Sequence, residues 1–222
     1  MKKAFFLFAA LLLASVVSHA QTQKGDQTLG FNLQYSYNKT SGVDISPFDN
    51  STIDAGNKYT VFSIGPAYSY FIADKLDLGT TLSFGQTTYN YPDVNGNSEK
   101  QLTRNFDAMI YLRKYFMFHD NFGLRTGPFI EYTKSENTDT YTGTTSGNDS
   151  DSKTNQYSGG LRLDMVYYPS KHLGLAATLA NLNYSHNTTD NGNQGHTSGD
   201  SVNLALINNG LSFSVFYVFG GK

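Results

Sequence analysis

From Leu29 the chain alternates, with Leu29, Phe31, Leu33, Tyr35 and Tyr37 on one face and Gly30, Asn32, Gln34, Ser36 and Asn38 on the other. A repeat of two is the mark of a β-strand with one apolar and one polar face. The same rhythm returns in seven further segments. Phe62 to Tyr70 and Leu76 to Phe84 carry the apolar set on even positions, and so do Phe106 to Leu112 and Phe122 to Tyr132. Leu161 to Tyr167, Leu173 to Leu179 and Leu211 to Phe219 carry it on odd ones. No later segment holds an apolar stripe of helical spacing. Eight strands are expected, with Val202, Leu204 and Leu206 as an upward extension of the eighth.

The connections alternate in length. Short turns fall near Ala73 to Lys75, Met117 to Asn121 and Ser170 to His172. Longer polar segments span Lys39 to Asn57, Pro92 to Lys100, Glu136 to Thr154 and Asn187 to Asp200. Eight strands with turns short on one end and long on the other predict an all-β fold, an antiparallel up-and-down transmembrane barrel with short periplasmic turns and long extracellular loops. A soluble, lipocalin-like barrel also has eight strands but keeps its apolar face inside. Here the polar face is rich in Gly, Ser, Thr and Ala, small enough to line a narrow lumen, while Leu, Ile, Phe and Tyr make the other. Aromatic residues gather near the strand ends: Tyr35, Tyr37, Tyr132 and Tyr157 towards the loops, Tyr70, Phe116, Phe122, Tyr167 and Phe219 towards the turns. Two such girdles fit the two faces of a bilayer.

The start of the chain agrees. Lys2 and Lys3 precede an apolar run from Ala4 to Val17, and Ser18-His19-Ala20 leads into polar sequence. This is the order of a secretory signal peptide, with cleavage expected after Ala20; the run is short of the ~20 residues a spanning helix needs. Residues 1–20 are thus read as signal and residues 21–222 as one barrel domain. The absence of Cys excludes disulfides and a lipid-anchored cysteine. The net charge of −2 is spread along the chain, so nucleic-acid binding has no electrostatic basis.

Seven charged residues fall on the expected inner face: Asp77, Asp107, Arg113, Arg125, Glu131, Arg162 and Asp164. On the lipid side each would cost up to a few kcal/mol, on the order of 2–4 for a basic group at mid-depth. The turns place Arg113 near Asp77 and Arg125 near Asp164, so a structural ion network that blocks the lumen is expected, with every charge matched. An ion or proton path is the functional alternative.

Other candidate chemistry is sparse. His196-Thr197-Ser198, with Glu131 or Asp200 as an orienting acid, resembles the His-x-Ser pair of barrel-type lipid A deacylases, but falls in a polar loop. Asp149, Asp151 and Asn155 could offer oxygen ligands to calcium, yet their spacing lacks the Gly and bidentate Glu of a calcium loop. His119, His172 and His186 have no partner at metal-ligand spacing and are read as surface histidines. No metal, cofactor or catalytic set is expected.

The signal peptide, the eight alternating strands and the aromatic last strand Leu211 to Phe219 together resemble the small outer-membrane β-barrels of the OmpX and OmpA-barrel type. That resemblance, of pattern and not of motif, covers the whole mature chain. It implies a porin-like envelope protein in the outer membrane of a Gram-negative cell, inserted by the barrel-insertion machinery and surrounded by outer-membrane lipid and lipopolysaccharide. The expected function is non-enzymatic, structural or surface-binding through the loops. The alternatives are a lipid-modifying barrel enzyme, a narrow channel and a soluble carrier.

Overall fold

The computed structural model describes residues 22–45, 52–54, 56–92, 98–142, 150–191, 195–206 and 213–220. Among them every regular element is a strand: β1 Gln27–Thr40, β2 Val43–Ile45, β3 Thr52–Asp54, β4 Asn57–Ala73, β5 Leu76–Pro92, β6 Ser98–His119, β7 Phe122–Thr142, β8 Ser150–Ser170, β9 Leu173–Asp190, β10 His196–Leu206 and β11 Phe213–Phe219. β2 and β3 pair only with each other. The remaining nine form one antiparallel sheet in the order β10-β9-β11-β1-β4-β5-β6-β7-β8, and β8 pairs back onto β9 to close it. The result is an eight-walled barrel whose eighth wall is made of two pieces, β10 above and β11 below, both paired with β9.

Alternation decides which residues face where. Phe31, Leu33, Ile110, Ile130, Leu161 and Val215 are exposed on the outer surface, while Met109, Tyr111, Phe129, Ser158 and Asp164 are buried inside. That is the reverse of a soluble barrel, which hides its apolar face. The turn end of the lumen is filled by Phe71, Tyr115, Val166, Tyr168, Ala176, Phe216 and Val218. There the segment before β1 is tied to the β4–β5 turn, with the Gly25 amide donating to the Phe71 carbonyl at 2.9 Å and Lys75 to that of Thr22 at 2.7 Å.

Several expectations need correction. The strands run well past the expected loop boundaries, β7 to Thr142 and β9 to Asp190, so much of the polar sequence assigned to loops is paired sheet. Alternation through Leu179 breaks. Asp164 pairs with Thr178 and Leu163 with Ala180, leaving Leu179 as an extra residue in β9. Such a bulge reverses the inward phase: Thr178 faces in below it, bonded to Asp164, and Ser185 faces in above. Leu211 and Ser212, expected in the last strand, lie outside the described residues, as do residues 1–21 with the expected cleavage site, and β11 begins at Phe213.

Candidate functional site

Strand register places the inward polar groups of the lower lumen side by side. Asp77 on β5 lies opposite Arg113 on β6, and Arg125 on β7 opposite Asp164 on β8. The Asp77 carboxylate accepts from Arg113 Nε at 3.0 Å and Nη2 at 2.5 Å. It also accepts from Ser69 at 2.8 Å and from the Tyr115 hydroxyl at 3.1 Å. Arg125 donates from Nε to Asp164 at 2.8 Å and from Nη1 to the Tyr115 oxygen at 3.3 Å. Thr178 donates to the second Asp164 oxygen at 2.9 Å. At the other end of the chain of contacts, Ser69 and Thr28 share a hydrogen bond at 2.6 Å.

These contacts form one continuous line, Thr28-Ser69-Asp77-Tyr115-Arg125-Asp164-Thr178, with Arg113 on Asp77. It takes a residue from each of β1, β4, β5, β6, β7, β8 and β9. The Arg125 guanidinium also sits 5.4 Å from the ring centre of Phe216 on β11, so the remaining wall joins in. A buried ion pair is tolerable only when its remaining donors and acceptors are satisfied, and here hydroxyls fill the gaps. Tyr115 is the joint of the network and was not singled out from the sequence. It was legible as the next inward position of β6 after Arg113.

The other three expected lumen charges behave differently. Asp107 accepts from Ser83 at 2.8 Å and Thr133 at 2.7 Å and needs no cation. Glu131 and Arg162 make no hydrogen bond or ion pair among the described residues, and Arg162 Nε is buried without a partner. The expectation that every lumen charge is matched by a direct contact therefore fails for these two, which attract each other without touching. Both line a cavity of about 240 Å³ above the ion network, which also touches Ser83, Arg113, Leu33 and Val215. The Arg162 guanidinium is held over the Phe129 ring, 5.0 Å from its centre.

The hydrolase-like residues are on a strand and not in a loop. β10 pairs Ser198 with Thr188, and His196 with Asp190. The His196 ring stands 3.8 Å from Asp190, whereas Asp200 bonds His186 at 2.9 Å and the Tyr184 hydroxyl at 2.6 Å. Ser198 makes no hydrogen bond to a histidine among the described residues, so the set is not assembled. Asp149 lies outside the described residues. Asp151 and Asn155 are ladder residues of β8, and Asn155 is taken by the Tyr132 hydroxyl at 2.7 Å. No group of carboxylates and histidines that could hold a metal occurs among the described residues. His172 lies 3.0 Å from the Val218 carbonyl and stacks on Tyr217, a structural contact.

The family model for the outer membrane protein beta-barrel domain matches residues 19–215. The chain belongs to that family. Outer-membrane proteins of known structure are similar to it. OprG from Pseudomonas aeruginosa is 13% identical, covering 92% of this chain and 100% of its own, with a TM-score of 0.50. Ail of Yersinia pestis is 12% identical, covering 89% and 100%, with a TM-score of 0.37. At 13% identity the likeness to OprG is one of fold alone. No curated protein matches the sequence.

Proposed function

We propose that this outer-membrane barrel is non-enzymatic, closed to flow along its axis, and open at the loop end as a cup that contacts molecules at the cell surface. The observation that carries this reading is the hydrogen-bonded line from Thr28 to Thr178, which runs from wall to neighbouring wall around the lumen and is bridged across it by Arg125 against Phe216, beside the packed cluster of Phe71, Tyr115, Tyr168 and Phe216. An eight-stranded barrel encloses little more than side-chain volume. Side chains anchored on every wall and packed against one another at the centre are what we read as a stopper at that level. The strands extend past the outer aromatic girdle, so paired sheet carries the contact surface above the bilayer, a rigid base for recognition.

On this reading the signal is cleaved after Ala20, the insertion machinery receives residues 21–222, and outer-membrane lipid and lipopolysaccharide surround the barrel. Planar-bilayer recordings test it. The native protein should show no stepwise conductance, and an ohmic conductance that vanishes in Arg125→Ala would establish a channel instead. Lipid A hydrolysis abolished by Ser198→Ala would establish the enzyme.

A further inference from the structure

Charge on the loop side of the barrel is layered. Lys39, Lys58, Lys100, Arg104, Lys134 and Lys153 all lie on strands and are all exposed. Alternation turns each of them outward, in phase with Tyr37, Phe62, Phe106, Tyr132 and Tyr157 on the same strands. Residues 41–57, 93–99, 143–152 and 191–210, farther along the chain towards the loop tips, hold no lysine or arginine, yet include Asp44, Asp54, Asp93, Asp149 and Asp151. Basic residues on this side are thus confined to a belt at the top of the strands, with acidic sequence beyond it.

Register sets the height of the belt. Lys39 on β1 lies opposite Lys58 on β4, Lys58 opposite Asn90 on β5, and Asn90 opposite Lys100 on β6. The next outward row towards the membrane is Tyr37, Thr60, Thr88 and Leu102, so the lysine row stands one outward step beyond a girdle tyrosine. That step is two residues, about 6.6 Å along a strand and about 5 Å of height at a tilt of about 40°. The polar layer on each side of the hydrocarbon is about 5–7 Å thick, which puts the row at head-group depth. Lys39 and Lys58 are also direct partners across the ladder, about 5 Å apart, where like charges repel. Farther round, Lys134 bonds Glu136 at 2.9 Å, and Arg104 and Lys153 are the cross-strand partners of that same Glu136. The excess of positive charge among the described side chains therefore centres on Lys39, Lys58 and Lys100.

From this layering we infer that Lys39, Lys58 and Lys100 form a docking site on the outer wall for the phosphate of an outer-leaflet lipid head group. Lys39 and Lys58 bracket the phosphate, whose charge relieves their mutual repulsion and gives each a charge-assisted hydrogen bond. Lys100, two strands from Lys58 with Asn90 between them, reaches the same head group from its other side. Lysine stems are long enough to bend back to the head-group plane while their methylenes cover apolar wall. The phosphate comes from lipid and not from a soluble polyanion: the acidic sequence beyond the belt repels an anion arriving from outside, whereas lipid phosphates meet the row from the membrane. The site rests on the barrel's immersion in the outer membrane and on nothing in its lumen, so it stands whether or not the barrel conducts.

The test places the barrel, residues 21–222, in neutral detergent micelles, titrates phosphatidic acid with 14-carbon chains, and follows its retention by native mass spectrometry. Retention of phosphatidic acid over phosphatidylcholine of the same chain length is expected. Lys39→Gln with Lys58→Gln should weaken it about twentyfold, about fivefold for each cation near a phosphate surface. Lys39→Arg with Lys58→Arg should keep it. Lys24→Gln with Lys171→Gln removes the same charge at the turn end and should leave retention unchanged; an equal loss there would reduce the effect to net charge and overturn the site. Displacement by glycerol 3-phosphate at the concentration of the lipid would assign the row to free phosphate and overturn the lipid assignment. Insertion of every variant into phosphatidylcholine vesicles, read by a heat-modifiable band, reports immersion separately. A glutamine pair that inserts and still retains phosphatidic acid as the native barrel does overturns the site alone, while a native barrel that fails to insert overturns the membrane reading beneath it.

Discussion

Asp77 and Asp107 are both inward carboxylates of the same lumen, yet their surroundings differ in what removal would leave behind. Asp77 is fully buried and holds a guanidinium, a tyrosine and a serine. Asp107 holds two hydroxyls that can turn to other acceptors or to water. Asp77→Ala should therefore cost about 3–5 kcal/mol, the cost of stranding a buried charge, and Asp107→Ala about 1–3 kcal/mol. Adding Arg113→Met to Asp77→Ala should recover part of the loss. Urea unfolding in micelles measures all three, and an Asp77→Ala no worse than Asp107→Ala would remove the network from the stability of the lumen. Glycines in the strands offer a second contrast of the same kind. A Cβ at Gly79 would meet the Tyr111 ring and the Ser69 Cβ at 2.6 Å, whereas one at Gly85 has its nearest neighbour at 3.6 Å. Gly79→Ala should cost about 1–3 kcal/mol through overpacking of an already filled layer. Gly85→Ala should be neutral or slightly stabilising, because the added methyl fits and the unfolded chain loses freedom.

At the scale of the element, strands were readable where one side faces lipid and the other a filled lumen, because only there does each position face a single environment. Phe106 and Ile110 against Met109 and Tyr111 show this along β6. Beyond the aromatic girdle both faces meet water, the apolar signal stops, and the ladder continues unannounced. Asn137, which accepts from Thr103 at 2.9 Å, belongs to sheet that reads as loop in the sequence. The Leu179 bulge was hidden for another reason, since Leu and Ala neighbours suit either face. The loop end of the β9–β10 pair carries its own polar lock. Asp200, beyond Tyr184 on the outer surface, has its carboxyl held below the ordinary value of 3.8, first by the Tyr184 hydroxyl and then by His186. A depressed carboxyl contributes stability that is full above its unfolded value and lost as pH falls through the folded one. Amide protection in the upper part of β10 should hold at neutral pH and fade below about pH 4, where unfolded aspartate begins to protonate. Asp200→Asn should make the protection independent of pH in that range. Hydrogen exchange after acid pulses checks it, and a pH response unchanged in Asp200→Asn would assign the lock to other groups.

Over the whole molecule, eight walls and the pairing of turns were legible, because hairpin connectivity follows from turn lengths. Closure was not, since whether the first and last strands meet over their full height depends on every register between them. Val202, Leu204 and Leu206 read as an extension of the eighth strand, and among the described residues they lie in β10, which pairs with β9 above β11 and has no ladder to β1. The lack of a direct contact at Glu131 and Arg162 was hidden likewise, for their phase fixed the side of the wall but not their partners. What the fold does fix is the direction of its apolar surface, and this can be tested by depth. Leu161 on β8 and Phe118 on β6 are similarly exposed, at 52% and 59%. Leu161 lies midway between the girdle residues Tyr157 and Tyr167, and Phe118 lies at the turn end, touching Phe122. In water, arginine at Phe118 would be at least as damaging as at Leu161, since it also removes an aromatic contact. In a bilayer the order reverses: Leu161→Arg should cost about 2–4 kcal/mol and Phe118→Arg about 0–1 kcal/mol beyond that contact. Folding titrations into vesicles decide between the two orders. Equal costs at the two depths would mean that the exposed face is not immersed in hydrocarbon.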